Sequence, residues 1–252
     1  MILKILSYPR AVIGGLAVVL SIAIYGSVLI LISLVLGREK ASRSQDFIIR
    51  TWALFVAKIL SMKIRVEGQQ NLSSHGVLFL FNHSSHLDIP IFYASVEKPT
   101  TRFGAKIELF KVPFLSGVMK QTGTLPISRH QREQVLQLYA DSVKRVESGD
   151  SFVLAAEGTR QPAPGVGAQF KSGPLIFAIT GQFEIQPVVM RGAYDILPKT
   201  SLFPSWGRWV NPVRVSILPP VSTKGLTLDD RDQLKARLHD MMSKEYNRLI
   251  LS

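Results

Sequence analysis

The sequence predicts an α/β domain with a mostly parallel central sheet flanked by helices, preceded by an N-terminal membrane-associated helical segment. Three observations carry that expectation. Beyond about Lys63, short apolar runs alternate with amphipathic stretches, the rhythm of strands and helices taken in turn. Two of the runs, Val77–Phe81 and Ser151–Ala156, lack the polar alternation of a half-exposed strand, as expected where both faces are buried. Between Arg10 and Arg38 the chain carries no charged residue at all. The expected division is residues 1–62 as a membrane anchor and amphipathic interfacial helix, and 63–252 as one domain of catalytic size.

Composition sets the outer limits. With 252 residues, 46% of them hydrophobic, the chain can bury a sizeable core and is too apolar for disorder. Lys and Arg number 30 against 18 Asp and Glu, a formal charge of +12 that favours anionic partners: phosphorylated substrates, an acidic lipid surface or nucleic acid. There is no cysteine, which excludes a disulfide scaffold, thiolate zinc sites and a cysteine nucleophile together.

The elements follow in order. As a helix, Ala11–Gly37 would rise roughly 40 Å, more than a bilayer core requires and longer than the apolar region of a cleaved signal peptide. After it, Arg43, Asp46, Arg50, Lys58 and Ser61 fall on one side of a helical wheel. Ile48, Ile49, Trp52, Phe55, Val56, Ile59 and Leu60 cover most of the rest. That pattern suits a helix in the membrane interface or packed back on the first; a buried first helix of the domain is the alternative. Basic residues flank the anchor on both sides, and the heavier set, Arg38, Lys40, Arg43 and Arg50, lies on the domain side. By the positive-inside tendency the domain then faces the cytoplasm. A two-helix hairpin re-entering the same leaflet would also explain basic residues at both ends and leave the domain on that side.

Strands are expected at Lys63–Glu67, Val77–Phe81, Thr101–Ala105, Thr124–Ile127, Ser151–Ala156, Ile185–Met190 and Val213–Leu218. A helix is expected from about Leu87 to Ser95. Glu108–Gln121 reads as mixed helix and loop, broken by Pro113 and Gly117. Ser128 with Gln131 has capping-box spacing ahead of a stripe of Val135, Leu138, Tyr139, Val143 and Val146. A Gly/Pro-rich loop runs to about Gly173, and Thr227 with Asp230 caps a last helix carrying Leu234, Leu238, Met241, Met242 and Leu249.

Two polar clusters stand directly after the two most buried strands, where open α/β sheets bind ligands. The first is Asn82-His83-Ser84-Ser85-His86-Leu87-Asp88; the second is Glu157-Gly158-Thr159-Arg160. His83 and Asp88 cannot share a face of one helix. If His83 ends the strand and a helix starts beyond a turn at Ser84 and Ser85, the Asp88 carboxylate can fold back onto the imidazole. It would then fix one ring nitrogen and leave the other free to take a proton from a hydroxyl. That is the base and orienter of a triad without a protein nucleophile. His86 could complete a metal set with these two, but no second ligand group of matching spacing appears. Gly165–Ser172 superficially suggests a phosphate loop, yet Phe170 stands where glycine is required. His75, His130 and His239 sit in loop or helix-surface contexts and are read as uninvolved.

At these residues the sequence resembles the glycerolipid acyltransferase family. Asn82–Asp88 matches its His-x4-Asp signature and Glu157–Arg160 its EGTR block. Gly123–Arg129 looks like the block between them, and Ala105–Leu109 is similar to a Lys-containing segment. Lys171 with Gly173 and Gln186-Pro187-Val188 resemble later elements, all in family order over roughly residues 65–190. The branch it most resembles is the bacterial one acting on 1-acyl-glycerol-3-phosphate. The resemblance implies His83 as general base, Asp88 as its orienting carboxylate, and Arg160 and Lys106 holding the acceptor's phosphate, with Arg129 as helper. Glu157 would contact the acceptor or brace the basic groups, and Gly158, Thr159 and Lys171 would complete the substrate-binding set. No metal or cofactor is implied; acyl-CoA or acyl carrier protein (acyl-ACP) would be the co-substrate. Lysophosphatidic acid would be the acceptor, membrane lipids the surroundings and the bacterial inner membrane the place. Ala155-Ala156 and Gln161 depart from the family pattern, as does Ser128, where an acidic residue is usual. The same chemistry on glycerol-3-phosphate, another lysophospholipid or a lipid-linked amine stays open at this point, as does a non-catalytic anionic-lipid-binding protein. Nothing suggests a nucleic-acid reader.

Overall fold

The computed structural model describes residues 2–37, 40–98, 100–128 and 132–251. Its strands are β1 (Met62–Glu67), β2 (Leu78–Phe81), β3 (Thr101–Lys106), β4 (Leu125–Ile127), β5 (Ser151–Ala155), β6 (Ile185–Arg191) and β7 (Asn211–Ile217). They form one seven-stranded sheet in the order β1-β7-β6-β2-β5-β3-β4. The block from β6 to β4 is parallel throughout. β7 runs antiparallel to β6 and carries β1 parallel to itself, so β1 and β7 oppose the other five strands. Parallel strands need crossovers, and α3 (Asp88–Ser95), α4 (Pro113–Thr122), α5 (Arg132–Glu147) and α6 (Ser172–Gly181) supply them. A short α7 (Ala193–Ile196) follows β6, and α8 (Arg231–Leu251) closes the domain.

The sheet is buried on both sides because its central strands alternate two apolar sets. Leu78 and Leu80 of β2 join Phe152, Leu154 and Ile185 beneath α5, α6 and α8, where Tyr139, Phe177, Leu238 and Met242 meet them. Phe79 and Phe81 join Val153, Val188 and Met190 on the other face, under Ile91 and Phe92 of α3. Phe79, Phe92, Phe152 and Phe177 are fully buried. Each such side chain contributes roughly 1.5–3 kcal/mol over an exposed one.

The expected strands are found within a residue or two of their ends. Pro113 does not break a helix but starts one: it occupies the first turn of α4 (Pro113–Thr122), where a missing N–H costs nothing. The helix stops at Gly123, whose φ of 71° belongs to the left-handed region. Ile107–Lys111 ahead of it is a single 3-10 turn. Residues 129–131 lie outside the described ones, and with them the Ser128–Gln131 cap. The Thr227–Asp230 capping box is present and closes a 3-10 turn that leads directly into α8. α6 was not foreseen, because its run from Pro174 to Ile179 is apolar all round and shows no helical period.

The N-terminus is a helical hairpin. α1 (Ile2–Leu36) contains a stretch, Ile5–Leu36, long and apolar enough to cross a membrane. α2 (Ser42–Ile59) returns along it and buries Ile48, Ile49, Ala53 and Val56. Trp52 Nε1 donates to Ser21 Oγ at 3.0 Å and Gln45 Nε2 to Ser33 Oγ at 3.0 Å, pinning the two helices together. The charged side of α2 meets the domain as well: Arg50 pairs with Glu97 at 2.5 Å, and Asp46 pairs with Arg102 of β3. Phe47 and Leu54 stay exposed.

Candidate active site

Register places the site. Phe81 of β2 lies level with Ala155 of β5 and Val188 of β6, and Lys106 of β3 is level with Ile127 of β4. The segments that leave these parallel strands therefore emerge at one edge of the sheet, the carboxyl edge where such folds bind ligands.

Asn82, the first residue beyond β2, is the anchor of the first cluster. Its side chain accepts from the Met190 amide at 2.8 Å and donates to the carbonyls of Met190, at 2.9 Å, and Gly165, at 3.2 Å. His83 follows with its Nδ1 2.8 Å from Asp88 Oδ2. The same oxygen accepts the amides of Ser84 at 2.7 Å and Ser85 at 2.8 Å, so the carboxylate closes the turn as well as holding the ring. Asp88 stands in the first turn of α3, where a negative charge is favoured, and is fully buried. Ser85 Oγ donates to the Leu197 carbonyl at 2.7 Å and accepts the Leu87 amide at 3.1 Å. The His83 ring packs edge-on against Phe81, with centroids 5.3 Å apart, and keeps 19% of its side chain exposed. An imidazole fixed at Nδ1 by a buried carboxylate and open at its other end is arranged to accept a proton at Nε2.

The second cluster is tied to the first through the backbone. Ala156 N donates to Phe81 O at 2.9 Å, and Gln161 N to His83 O at 2.7 Å. Glu157, 2% exposed, takes the His83 amide on Oε2 at 3.1 Å and the Gly167 amide on Oε1 at 3.0 Å. Its carboxylate thus braces two loops rather than the basic side chains. Burial pushes the Glu157 pKa above its ordinary value, opposed by those amides. Gly158 turns the chain with φ 65°, and a Cβ there would meet the Lys171 side chain at 3.0 Å, so the tetrapeptide requires glycine at this point. Thr159 is half-buried and Arg160 reaches over the edge of the site, its Nη1 3.5 Å from the Lys199 carbonyl. The pKa of His86 is held below its ordinary value by desolvation first, then by the nearby charges of Arg160 and His83.

Of the expected site residues, His83, Asp88, Glu157, Gly158, Thr159, Arg160 and Lys171 are gathered by these contacts. Lys106 ends β3 at the same edge, exposed, and Arg129 lies outside the described residues. Two positioning residues escaped the sequence reading. Asn82 carried a signal, a polar residue directly at the end of a buried strand. His239, read as uninvolved, is 3.1 Å from the carbonyl of Gly167 through Nε2 and edge-on to Phe170 at 5.0 Å. It steadies the loop whose amide Glu157 holds, and nothing in its local sequence announces that.

Residues 63–191 match the family model Acyltransferase. The 1-acyl-sn-glycerol-3-phosphate acyltransferase of Saccharomyces cerevisiae is 27% identical over 242 residues, which is 95% of this chain and 77% of that protein. That of Haemophilus influenzae is 28% identical over 197 residues, 77% of each. Among solved structures, the crystal structure of the 1-acyl-sn-glycerophosphate (LPA) acyltransferase PlsC from Thermotoga maritima shares the fold. Its TM-score is 0.78, covering 96% of this chain and 97% of that one at 23% identity.

Proposed function

This chain belongs to the acyltransferase family and is an O-acyltransferase, and on that premise we propose that it acylates the free hydroxyl of lysophosphatidic acid, giving phosphatidic acid. The donor is a thioester of coenzyme A or acyl carrier protein. The names of its relatives support this acceptor. The observation that carries the reading is the His83–Asp88 pair, 2.8 Å apart, beside the turn that presents Arg160. The acceptor oxygen attacks the thioester carbonyl while its proton passes to His83 Nε2. Asp88 holds Nδ1–H and offsets the charge of the imidazolium. The tetrahedral intermediate then collapses, the C–S bond breaks, and the departing sulfur takes the proton from Nε2 as free thiol. Arg160, Lys106 and Arg129 bind the acceptor's phosphate, a guanidinium matching two of its oxygens at once. Gly158, Thr159 and Lys171 complete that end of the site, and Glu157 fixes the turn that presents it. The domain faces the cytoplasm at a bacterial inner membrane, a placement supported by the apolar α1 and by the basic residues Lys40, Arg43 and Arg50 that follow it.

The test is thiol release from long-chain acyl-coenzyme A by the full chain in detergent, with and without lysophosphatidic acid. Release should require the acceptor and fall about 10²–10⁴-fold in His83→Ala. Arg160→Ala should raise the acceptor KM more than it lowers kcat. Activity with acyl carrier protein alone would change the donor, and full activity in His83→Ala would overturn the mechanism.

A further inference from the structure

The segment between α7 and β7 meets the site at its start, through the Leu197 and Lys199 carbonyls. It exposes Leu202 at 92%, Trp206 at 52% and Trp209 at 45% of their surfaces, together with Phe203 and Val210. It is nevertheless fastened in place. Ser205 N donates to Ile196 O at 2.7 Å, and Gly207 N donates to Ser7 Oγ of α1 at 2.6 Å. Trp206 stacks edge-on with Tyr8, centroids 5.9 Å apart. The Arg10 guanidinium lies 5.1 Å from the Trp209 ring centre and donates to the Arg208 carbonyl at 3.2 Å. Gly15 lets the segment approach, since a Cβ there would come within 2.9 Å of Phe203 and Pro204. A groove of about 490 Å³ opens between the two, lined in part by Ala11, Val12 and Phe203.

A fixed, exposed cluster of this kind marks an interaction surface. Its chemistry selects the partner. Indole and phenol rings beside a cation suit the boundary between headgroups and acyl chains, where the ring body is dry and its polar edge is wet. The exposed Lys199 and Arg208 in the same segment favour anionic headgroups. The surface is also continuous with the exposed apolar side of α1 at Ile13 and Leu16. We propose that residues 201–210 and the first turns of α1 form a lipid-docking surface that seats Leu202 and the two indoles in the interface of an anionic phospholipid bilayer. The proposal rests on α1 entering a membrane and is independent of the acyl chemistry.

Two probes on the full chain test it without reading activity. Trp52→Phe leaves Trp206 and Trp209 as the only indoles. In vesicles of phosphatidylglycerol and phosphatidylcholine, lipid brominated near the glycerol end should quench them several-fold more than lipid brominated near the methyl end. Because the chain has no cysteine, Leu202→Cys gives a single attachment point for an environment-sensitive dye. Its emission should rise several-fold on transfer from detergent-free buffer to the same vesicles, and less with phosphatidylcholine alone. Indoles that no brominated lipid quenches, or a dye at residue 202 that stays as wet on vesicles as in buffer, would overturn the proposal and leave the face to a protein partner. The second probe does not depend on the first variant folding.

Discussion

At the scale of single residues, Glu157 shows what a family signature cannot say by itself. The tetrapeptide marked the place, but the inward turn of the glutamate follows from two backbone amides that need one acceptor, His83 N and Gly167 N, and they lie 74 and 10 residues away. Such an acceptor is invisible in a string of letters, whereas the His83–Asp88 pair was legible because both partners sit within one turn. Glu157→Gln should fold and lose about 1–3 kcal/mol at neutral pH, because its amide nitrogen must face one of the two N–H donors. The pH dependence has a definite sign. Burial raises the folded pKa above 4.5, so the folded protein holds this proton more tightly than the unfolded chain. That contribution is complete below the unfolded value and is lost as pH rises through the folded one. Glutamine has no proton to bind. The margin of the wild type over Glu157→Gln should therefore be smallest near neutrality and widen toward about pH 4.5. Denaturant unfolding at stepped pH in detergent measures it, and a margin that narrows on acidification would contradict the buried assignment.

At the scale of elements, periodicity found what lies on one face and missed what depends on a distant partner. β2 and β5 were legible because strands buried on both faces carry continuous apolar runs. α6 was not, since an all-round apolar run has no helical period, and the antiparallel setting of β7 was not, since a buried run reads alike in either direction. Asp46 is the sharpest case. On the wheel it belongs to a charged stripe. In the fold it pairs with Arg102 and accepts the Thr100 amide at 2.7 Å, joining α2 to the sheet. The Arg102 side chain is only 5% exposed, so removing its partner leaves a guanidinium in the interior with Ser42 Oγ and its neighbour's carbonyl. Asp46→Ala should cost about 3–5 kcal/mol, and replacing both partners by apolar residues, as in Asp46→Leu with Arg102→Met, should cost much less. Thermal unfolding of the two variants decides: equal losses would mean that leaving the Arg102 guanidinium unpaired costs nothing extra.

At the scale of the whole molecule, length and apolarity predicted a membrane helix but not its posture, which depends on where the domain touches it. α1 has 35 residues and is about 52 Å long. Its buried positions, Ser7, Gly14, Gly15, Ser21, Gly26, Leu29 and Ser33, lie along one side from end to end. The domain touches both halves. Gly207 bonds Ser7 and Phe203 approaches Gly15 near one end, while Phe114 and Val118 of α4 lie where a Cβ on Gly26 would meet them, at 2.8 and 2.9 Å. A helix crossing a hydrocarbon core of about 30 Å would draw one of these contacts, and the polar domain behind it, into lipid. The contacts can all persist only if α1 lies along one leaflet, its open side toward the acyl chains and its small-residue side toward the protein. The natural absence of cysteine makes the consequence measurable. Ile5→Cys and Lys40→Cys, at the two ends of the helix, should react alike with a membrane-impermeant maleimide in sealed vesicles of one orientation. A spanning helix would expose one end and protect the other until detergent is added, and that result would require the contacts at Ser7 or at Gly26 to break in the membrane.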